Sequence, residues 1–157
     1  ENLTYYGRGP FENYIDRYSG AFIGRYEDKV ENQFYWYIRP QETGNKTDVR
    51  WLTLLDSGGL GVKITGLQPI SFSALHFSPE DLDPGLTRKL QHTIDIVPQK
   101  NIFLHVDLKQ RGLGGDNSWG MYPHNEYRLL DKKYTYSYMI ELVEKGSDKN
   151  DYLNSRK

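Results

Sequence analysis

The stretch that best combines ligand-binding residue types is glycine-rich, spans residues 112–120 and reads GLGGDNSWG. Its glycines allow tight backbone turns. The short polar residues Asp116, Asn117 and Ser118 follow and supply hydrogen-bonding groups. Trp119 adds an indole, whose apolar face and polar edge suit the C–H face and hydroxyl rim of a sugar. The stretch therefore predicts either a loop that presents Trp119 to a sugar or one that plugs the end of a β-sandwich.

Phosphate binding is not expected at this stretch. A Gly-x-Gly-x-x-Gly fingerprint needs a following helix whose N-terminus receives the phosphate, and a P-loop needs Gly-Lys-Ser/Thr. Neither a helical pattern nor that tripeptide follows residue 120.

Residues 7–17, which read GRGPFENYIDR, concentrate ionisable side chains around a Gly-x-Gly-Pro turn. Glu12 and Asp16 are four residues apart, a spacing that suggests an acid/base pair. A loop, however, fixes no common face for them, and Arg17 is available to neutralise either carboxylate. Because carboxylates beside arginine usually stay ionised, the segment favours a structural ion pair.

Two other polar groups have a binding and a structural interpretation. His105 and Asp107 share one face of a predicted strand, so they would form an acid/base pair in a cleft and would be inert in solvent. Glu42 and Asn45 lie in a polar turn. They would contact a ligand only beside a cleft and would otherwise close the turn.

A metal site is not expected on this chain. The four histidines, His76, His92, His105 and His124, show no spacing typical of metal ligands. The absence of cysteine excludes disulfides, thiolate zinc sites and a cysteine nucleophile.

The composition predicts a single soluble β domain. A chain of 157 residues fits one domain. Its 20 basic and 21 acidic side chains nearly balance, and its apolar runs are short, so neither nucleic acid nor a membrane is an expected partner. Thirteen tyrosines, six phenylalanines and three tryptophans favour strands.

Period-two patterns predict eight strands separated by glycine, asparagine and proline turns, which is typical of an antiparallel sandwich or barrel. Ser78 followed by Pro79 and two acids predicts a helix of one or two turns. Residues 1–144 form the predicted domain, and residues 145–157 are a polar tail expected to be disordered. The predicted strands are Arg25–Tyr26, Gln33–Arg39, Val49–Leu55, Gly61–Gly66, Ile70–Leu75, Leu90–Val97, Ile102–Lys109 and Tyr134–Val143.

Taken together, four segments resemble the "small chain" signature in the C-terminal domain of the large β-galactosidases of glycoside hydrolase family 2. They are residues 6–17, residues 39–45, residues 73–78 and residues 112–119. The resemblance implies an all-β fold, a galactose-mutarotase-like β supersandwich of antiparallel sheets. The family's domain is longer, so this chain looks like its C-terminal part.

The resemblance also implies a function. Members of the family hydrolyse terminal β-D-galactosides with retention, using two glutamates about 5 Å apart on a (β/α)8 barrel. Such a barrel takes roughly 250 residues and is not contained in this chain, so the chain alone is expected to be inactive. The expected partners are the galactoside substrate and the barrel domain of the same enzyme, with a homo-oligomer as the full-length protein. The implied compartment is cytoplasmic or periplasmic, in a bacterial-type enzyme.

On this resemblance Trp119 corresponds to the tryptophan that the domain contributes to the substrate pocket, and Asp116, Asn117 and Ser118 shape its approach. No cofactor is expected on this chain, while magnesium and sodium would bind on the barrel. Two alternatives remain at this point: a free-standing carbohydrate-binding module, and an aldose epimerase that uses His76 or His105 as an acid.

Overall fold

A computed structural model describes residues 1–83, 85–87, 91–117 and 119–146. Its strands form one antiparallel sheet in the order β2-β1-β3-β4-β5, and β6 also pairs with β4. Since β5 pairs with the C-terminal half of β4 and β6 with the N-terminal half, β5 and β6 follow one another along one edge. The strands are β1 (Asn2–Gly9), β2 (Phe22–Lys29), β3 (Lys46–Leu55), β4 (Leu60–Leu75), β5 (Phe103–Asp107) and β6 (Tyr138–Glu144).

Alternation along the strands places the main core on one face of the sheet. Leu3 and Tyr5 of β1 lie opposite Leu54 and Leu52 of β3, and all four side chains are buried. Successive side chains of a strand point to opposite faces, so these residues share a face. The core also contains Val30, Val49, Ile64, Ile70, Phe72 and Ala74.

A second apolar cluster forms around the helix that follows β4. Leu75 and Phe77 pack there with Phe34, Leu82 and Ile96. The helix α1 (Pro79–Leu82) begins at Ser78, whose hydroxyl accepts a hydrogen bond from the Asp81 amide at 3.2 Å, while the Asp81 carboxylate accepts one from the Ser78 amide at 2.8 Å. This capping box confirms the predicted short helix.

The structure confirms the predicted all-β, antiparallel fold class, and it corrects several element predictions. The strands predicted over residues 61–66 and 70–75 are one strand, β4, whose register with β3 shifts between Trp51 and Val49. Strand β1 was not predicted, because the glycine-rich end of this segment is typical of a turn.

Two predicted strands are wrong. In the segment predicted over residues 33–39, the Tyr35 amide donates to the Thr43 hydroxyl at 3.1 Å, so a side chain replaces a strand partner. In the segment predicted over residues 90–97, a 3-10 turn at Thr93–Asp95 forms, and the Asp95 carboxylate accepts from the His92 amide at 2.7 Å. Short polar side chains that bond to nearby backbone compete with sheet formation.

No helix in the described ranges is long or apolar enough to cross a membrane. The described part ends at Gly146, so nearly all of the predicted polar tail lies outside it.

Candidate functional site

The base of the glycine-rich loop is held by two backbone contacts. The Gly112 amide donates to the Tyr127 carbonyl at 2.7 Å, and the Gly114 amide donates to Asp16 Oδ2, also at 2.7 Å. A Cβ atom on Gly112 would lie 2.7 Å from that same carboxylate oxygen. A side chain at residue 112 would therefore require Asp16 or Tyr127 to shift.

The tip of the loop presents Trp119. Its amide donates to Asn117 Oδ1 at 2.8 Å. Gly120 follows with φ of 97°, a left-handed conformation that favours glycine. The Trp119 side chain is 89% exposed. The indole is therefore not packed against the described residues of this chain.

An ion pair closes the loop further along the chain. Asp116 Oδ1 lies 2.8 Å from His124 Nε2, and both side chains are exposed. The hydrogen bond that His124 donates to the Asp116 carboxylate, together with the charge of Asp116, raises the pKa of His124. Of the four predicted site residues, the structure thus gives Asp116 and Asn117 loop-shaping contacts and exposes Trp119. Ser118 lies outside the described residues.

A cavity of about 340 Å³ lies against the same loop. Its wall includes Tyr122, which is exposed. The Arg128 guanidinium carbon lies 4.9 Å from the centre of the Tyr122 ring. The cavity therefore combines aromatic, amide and cationic groups beside an exposed indole. Its lining residues are Arg111, Leu113, Gly115, Asn117, Gly120, Met121 and Tyr122.

The ion pair predicted in residues 7–17 forms between Glu12 and Arg17, which confirms the structural interpretation of Glu12. The buried Glu12 carboxylate also accepts hydrogen bonds from Tyr37, from the Thr43 hydroxyl at 3.2 Å and from the Gly44 amide at 2.7 Å. Four donors on one carboxylate make Glu12 a structural anchor and not an acid/base group.

Asp16 has a different partner from the predicted one. Its carboxylate turns towards the glycine-rich loop and accepts from the Gly114 amide, while Arg17 pairs with Glu12. The two acids therefore serve separate loops and do not act as a pair. The Asp16 to Gly114 contact joins residues 98 positions apart, and no local pattern signals it.

His105 and Asp107 share a face as predicted, and that face lies near a third ionisable group. Burial raises the pKa of Glu42, while the charge of His105 and a hydrogen bond from Gln110 oppose this rise. Asp107 itself accepts from Gln110 Nε2 at 3.3 Å. The sequence gives no sign that Glu42 and His105 are close, because only the folded structure brings the turn that contains Glu42 near strand β5, which contains His105.

The other histidine considered as an acid, His76, is held by backbone. Its Nδ1 lies 3.1 Å from the Asn101 carbonyl. In the described part of the chain, no three His, Asp or Glu side chains converge in a way that could hold a metal ion.

Comparison with known proteins places this chain in a family. A model of the β-galactosidase small chain matches residues 1–140. A β-galactosidase of Priestia megaterium is 39% identical over 142 residues, which are 90% of this chain and 13% of the relative. A β-galactosidase of Streptococcus thermophilus is 38% identical over 142 residues, or 89% of this chain and 13% of the relative. The chain thus spans little more than a tenth of the length of either relative, and it belongs to the β-galactosidase small-chain family.

Proposed function

We propose that this chain is the C-terminal part of the terminal β-domain of a retaining β-galactosidase of glycoside hydrolase family 2. In this proposal Trp119 forms one wall of the substrate pocket and stacks on the galactoside. Residues 1–144 supply the domain. The reaction of the parent enzyme is hydrolysis of a terminal β-D-galactoside, and this chain contributes substrate contact and no catalytic group.

The observation that carries the proposal is the exposed, backbone-anchored indole of Trp119 in a chain of this family. A buried tryptophan would indicate packing, whereas an exposed one offers the apolar face of its indole to a sugar. Tyr122 and Asn117 line the cavity beside it and supply ring and amide contacts.

We place the catalytic glutamates outside this chain. The buried Glu12 carboxylate is saturated by four donors, and the Glu42 carboxylate accepts a hydrogen bond from the Tyr14 hydroxyl at 3.4 Å. The relatives are several times longer than this chain, which leaves room for a (β/α)8 barrel of roughly 250 residues. Any magnesium or sodium of the parent enzyme is proposed to bind there too.

The pocket role is tested in the full-length enzyme with Trp119→Ala. An aromatic stacking contact contributes about 0.5–1.5 kcal/mol, so KM for a β-galactoside should rise roughly two- to tenfold. Trp119→Phe should restore most of the loss because it keeps a ring. Trp36→Ala is the matched control, since Trp36 is another exposed tryptophan outside the loop. An unchanged KM in Trp119→Ala contradicts the pocket role.

The non-catalytic role is tested on the isolated chain. It should not hydrolyse a chromogenic β-galactoside, and appreciable turnover would defeat the placement of both glutamates elsewhere. Polarimetry on freshly dissolved galactose should likewise show no acceleration of mutarotation, because His76 is held by a backbone carbonyl.

A further inference from the structure

Strand β6 forms an edge of the sheet that lacks the protection seen at the other described edges. A free edge is a template for another strand, and proteins block it with charged residues, short strands or covering groups. Strand β2 carries four charged side chains in its eight residues. Strand β5 is five residues long, and its Val106 carbonyl accepts a hydrogen bond from the Tyr136 hydroxyl at 2.9 Å. Strand β6 is seven residues long, contains no lysine or proline, and pairs with β4 without a register shift.

The hydrogen bonds between β4 and β6 show which backbone groups of β6 point to the open edge. At one end of this ladder the Lys145 amide donates to the Gly59 carbonyl at 2.7 Å, and the other end keeps the same parity. Bonded and non-bonded pairs alternate in an antiparallel ladder, so the odd-numbered residues of β6 bond to β4. The N–H and C=O groups of the even-numbered residues therefore point away from β4. These residues include Tyr138, Ile140 and Leu142.

Apolar side chains accompany the outward backbone groups. Ile140 lies opposite Ile64 in the register with β4, and Leu142 lies opposite Val62. Both side chains therefore share the face that carries the main core. Ile64 is buried, whereas Ile140 is 63% exposed and Leu142 is 90% exposed. The apolar face of the sheet thus continues to its edge and ends there in solvent.

The sequence of β6 is self-complementary when two copies pair antiparallel. Opposite residues of such a pair share a face. A two-fold axis through Ile140 places each Ile140 opposite its equivalent and Tyr138 opposite Leu142. An axis through Glu141 would place two like charges directly opposite one another, which is destabilising. An axis through Leu142 would place Ile140 opposite Glu144. The register centred on Ile140 is therefore favoured over its two neighbours.

We propose that β6 is a homodimerisation edge, at which two copies of this chain join their sheets around a two-fold axis through Ile140. Pairing over residues 138–142 adds about six backbone hydrogen bonds, because three pairs of opposite residues exchange two bonds each. A seven-residue strand pair buries less than the roughly 1,600 Å² of a standard interface, so we expect Kd on the order of 10 μM. Symmetric pairing occupies the β6 edge of both copies, so assembly stops at the dimer. The inference does not depend on the proposed function.

Single cysteines test the register, because the chain contains no cysteine of its own. Ile140→Cys places two thiols at a pair whose Cα atoms are about 5.5 Å apart, within the range of a disulfide. Leu142→Cys is the matched control, because the two equivalent residues would be offset by four positions, or roughly 13 Å. Under mild oxidation Ile140→Cys should form a covalent dimer about tenfold faster than Leu142→Cys. Equal rates, or a faster Leu142→Cys, would contradict the register.

Sedimentation equilibrium of the 157-residue chain measures the dimer without a cross-link. The mass should rise from monomer towards dimer between about 1 and about 200 μM. Ile140→Pro removes an outward N–H and spares the ladder with β4, and Leu142→Lys adds a charge that blocks an edge. Each should weaken dimerisation by about tenfold or more. Phe22→Lys is the matched control, since Phe22 is 72% exposed on β2, and it should leave Kd unchanged.

Circular dichroism of each variant confirms that the chain still folds, and Leu142→Lys keeps the test valid if Ile140→Pro does not fold. The inference is wrong if the unmodified chain stays monomeric at about 200 μM or assembles beyond a dimer. It is equally wrong if Phe22→Lys abolishes the dimer and Leu142→Lys does not, because β2 would then be the pairing edge. A monomeric chain whose β6 is protected from hydrogen exchange only in the full-length enzyme would assign the edge to another part of that enzyme.

Discussion

Replacement of Gly112 by alanine tests whether the glycine-rich loop is anchored as the structure shows. The new Cβ would lie 2.7 Å from Asp16 Oδ2, 2.8 Å from Asp16 Cγ and 2.9 Å from Tyr127 Cβ. All three distances are well below the roughly 3.5–4.0 Å of a favourable carbon contact. Asp16 cannot retreat without stretching its 2.7 Å hydrogen bond to the Gly114 amide, so the substitution must disturb the loop base.

The expected cost follows from these contacts. Overpacking typically costs about 1–3 kcal/mol, and loss of a hydrogen bond to a charged group costs a similar amount. The overpacking and the lost hydrogen bond do not both apply in full, because a shift of Asp16 that weakens its hydrogen bond also relieves the clash. Alanine also restricts the unfolded chain more than glycine does, which raises the free energy of unfolding by about 0.4–1 kcal/mol. We therefore expect Gly112→Ala to lower the free energy of unfolding by ~1–2 kcal/mol.

Gly20→Ala is the matched control. A Cβ at Gly20 would meet no atom within 4 Å, and its φ is not in the left-handed region. This variant should be neutral or slightly stabilising. Urea denaturation of both variants, followed by circular dichroism, measures the difference directly. In the full-length enzyme Gly112→Ala should also raise KM, since the loop carries Trp119. Equal stability of the two variants would refute the close approach of Gly112 to Asp16.

Three further predictions concern ionisable groups. Glu12→Gln should lower the free energy of unfolding by ~2–4 kcal/mol, because an amide cannot accept hydrogen bonds from all four donors. Glu27→Gln is the control, since Glu27 forms an exposed pair with Arg25, and it should change the free energy of unfolding by less than about 0.5 kcal/mol in the same urea assay. Burial lowers the pKa of Lys46 from 10.5 to about 8, so the folded state binds fewer protons between these values and the free energy of unfolding should rise with pH across them. Denaturation over this pH interval should show that rise, of at most about 1.4 kcal/mol per pH unit, and Lys46→Met should lack it. Asp116→Asn should lower the pKa of His124 towards its ordinary value in an NMR titration, and an unchanged midpoint would contradict their hydrogen bond.

Local patterns predicted the parts of the molecule that depend on neighbouring residues. The helix after Ser78 was predicted because a serine cap, a proline and two acids satisfy the first turn within four positions. The Glu12 to Arg17 ion pair is also local, five residues apart. The glycine-rich loop was predicted from its composition alone, and Trp119 near its end is exposed in the structure.

Contacts between distant segments could not be predicted in this way. Strand β1 is a strand because Leu3 and Tyr5 find partners in β3, about fifty positions later. Residues 33–39 have strand-like composition, but their backbone groups bond to turns and side chains instead. Asn45 looked like an ordinary turn residue, and only the packed structure shows its Oδ1 buried without a donor. At β1 and at residues 33–39, tertiary contacts and not local preference decide whether a strand forms.

Glu12 and Asp16 each hold a different glycine-containing segment of the chain. Glycine adds freedom that must be removed by contacts elsewhere. Glu12 fixes the turn at Gly44, and Asp16, four residues later, binds the Gly114 amide. The base of the Trp119 loop is therefore held by Asp16 as well as by the loop's own contacts. A change at the contact between Asp16 and the base of the loop should therefore move the indole. For this reason KM and the free energy of unfolding are expected to change together in Gly112→Ala, whereas KM alone is expected to change in Trp119→Ala.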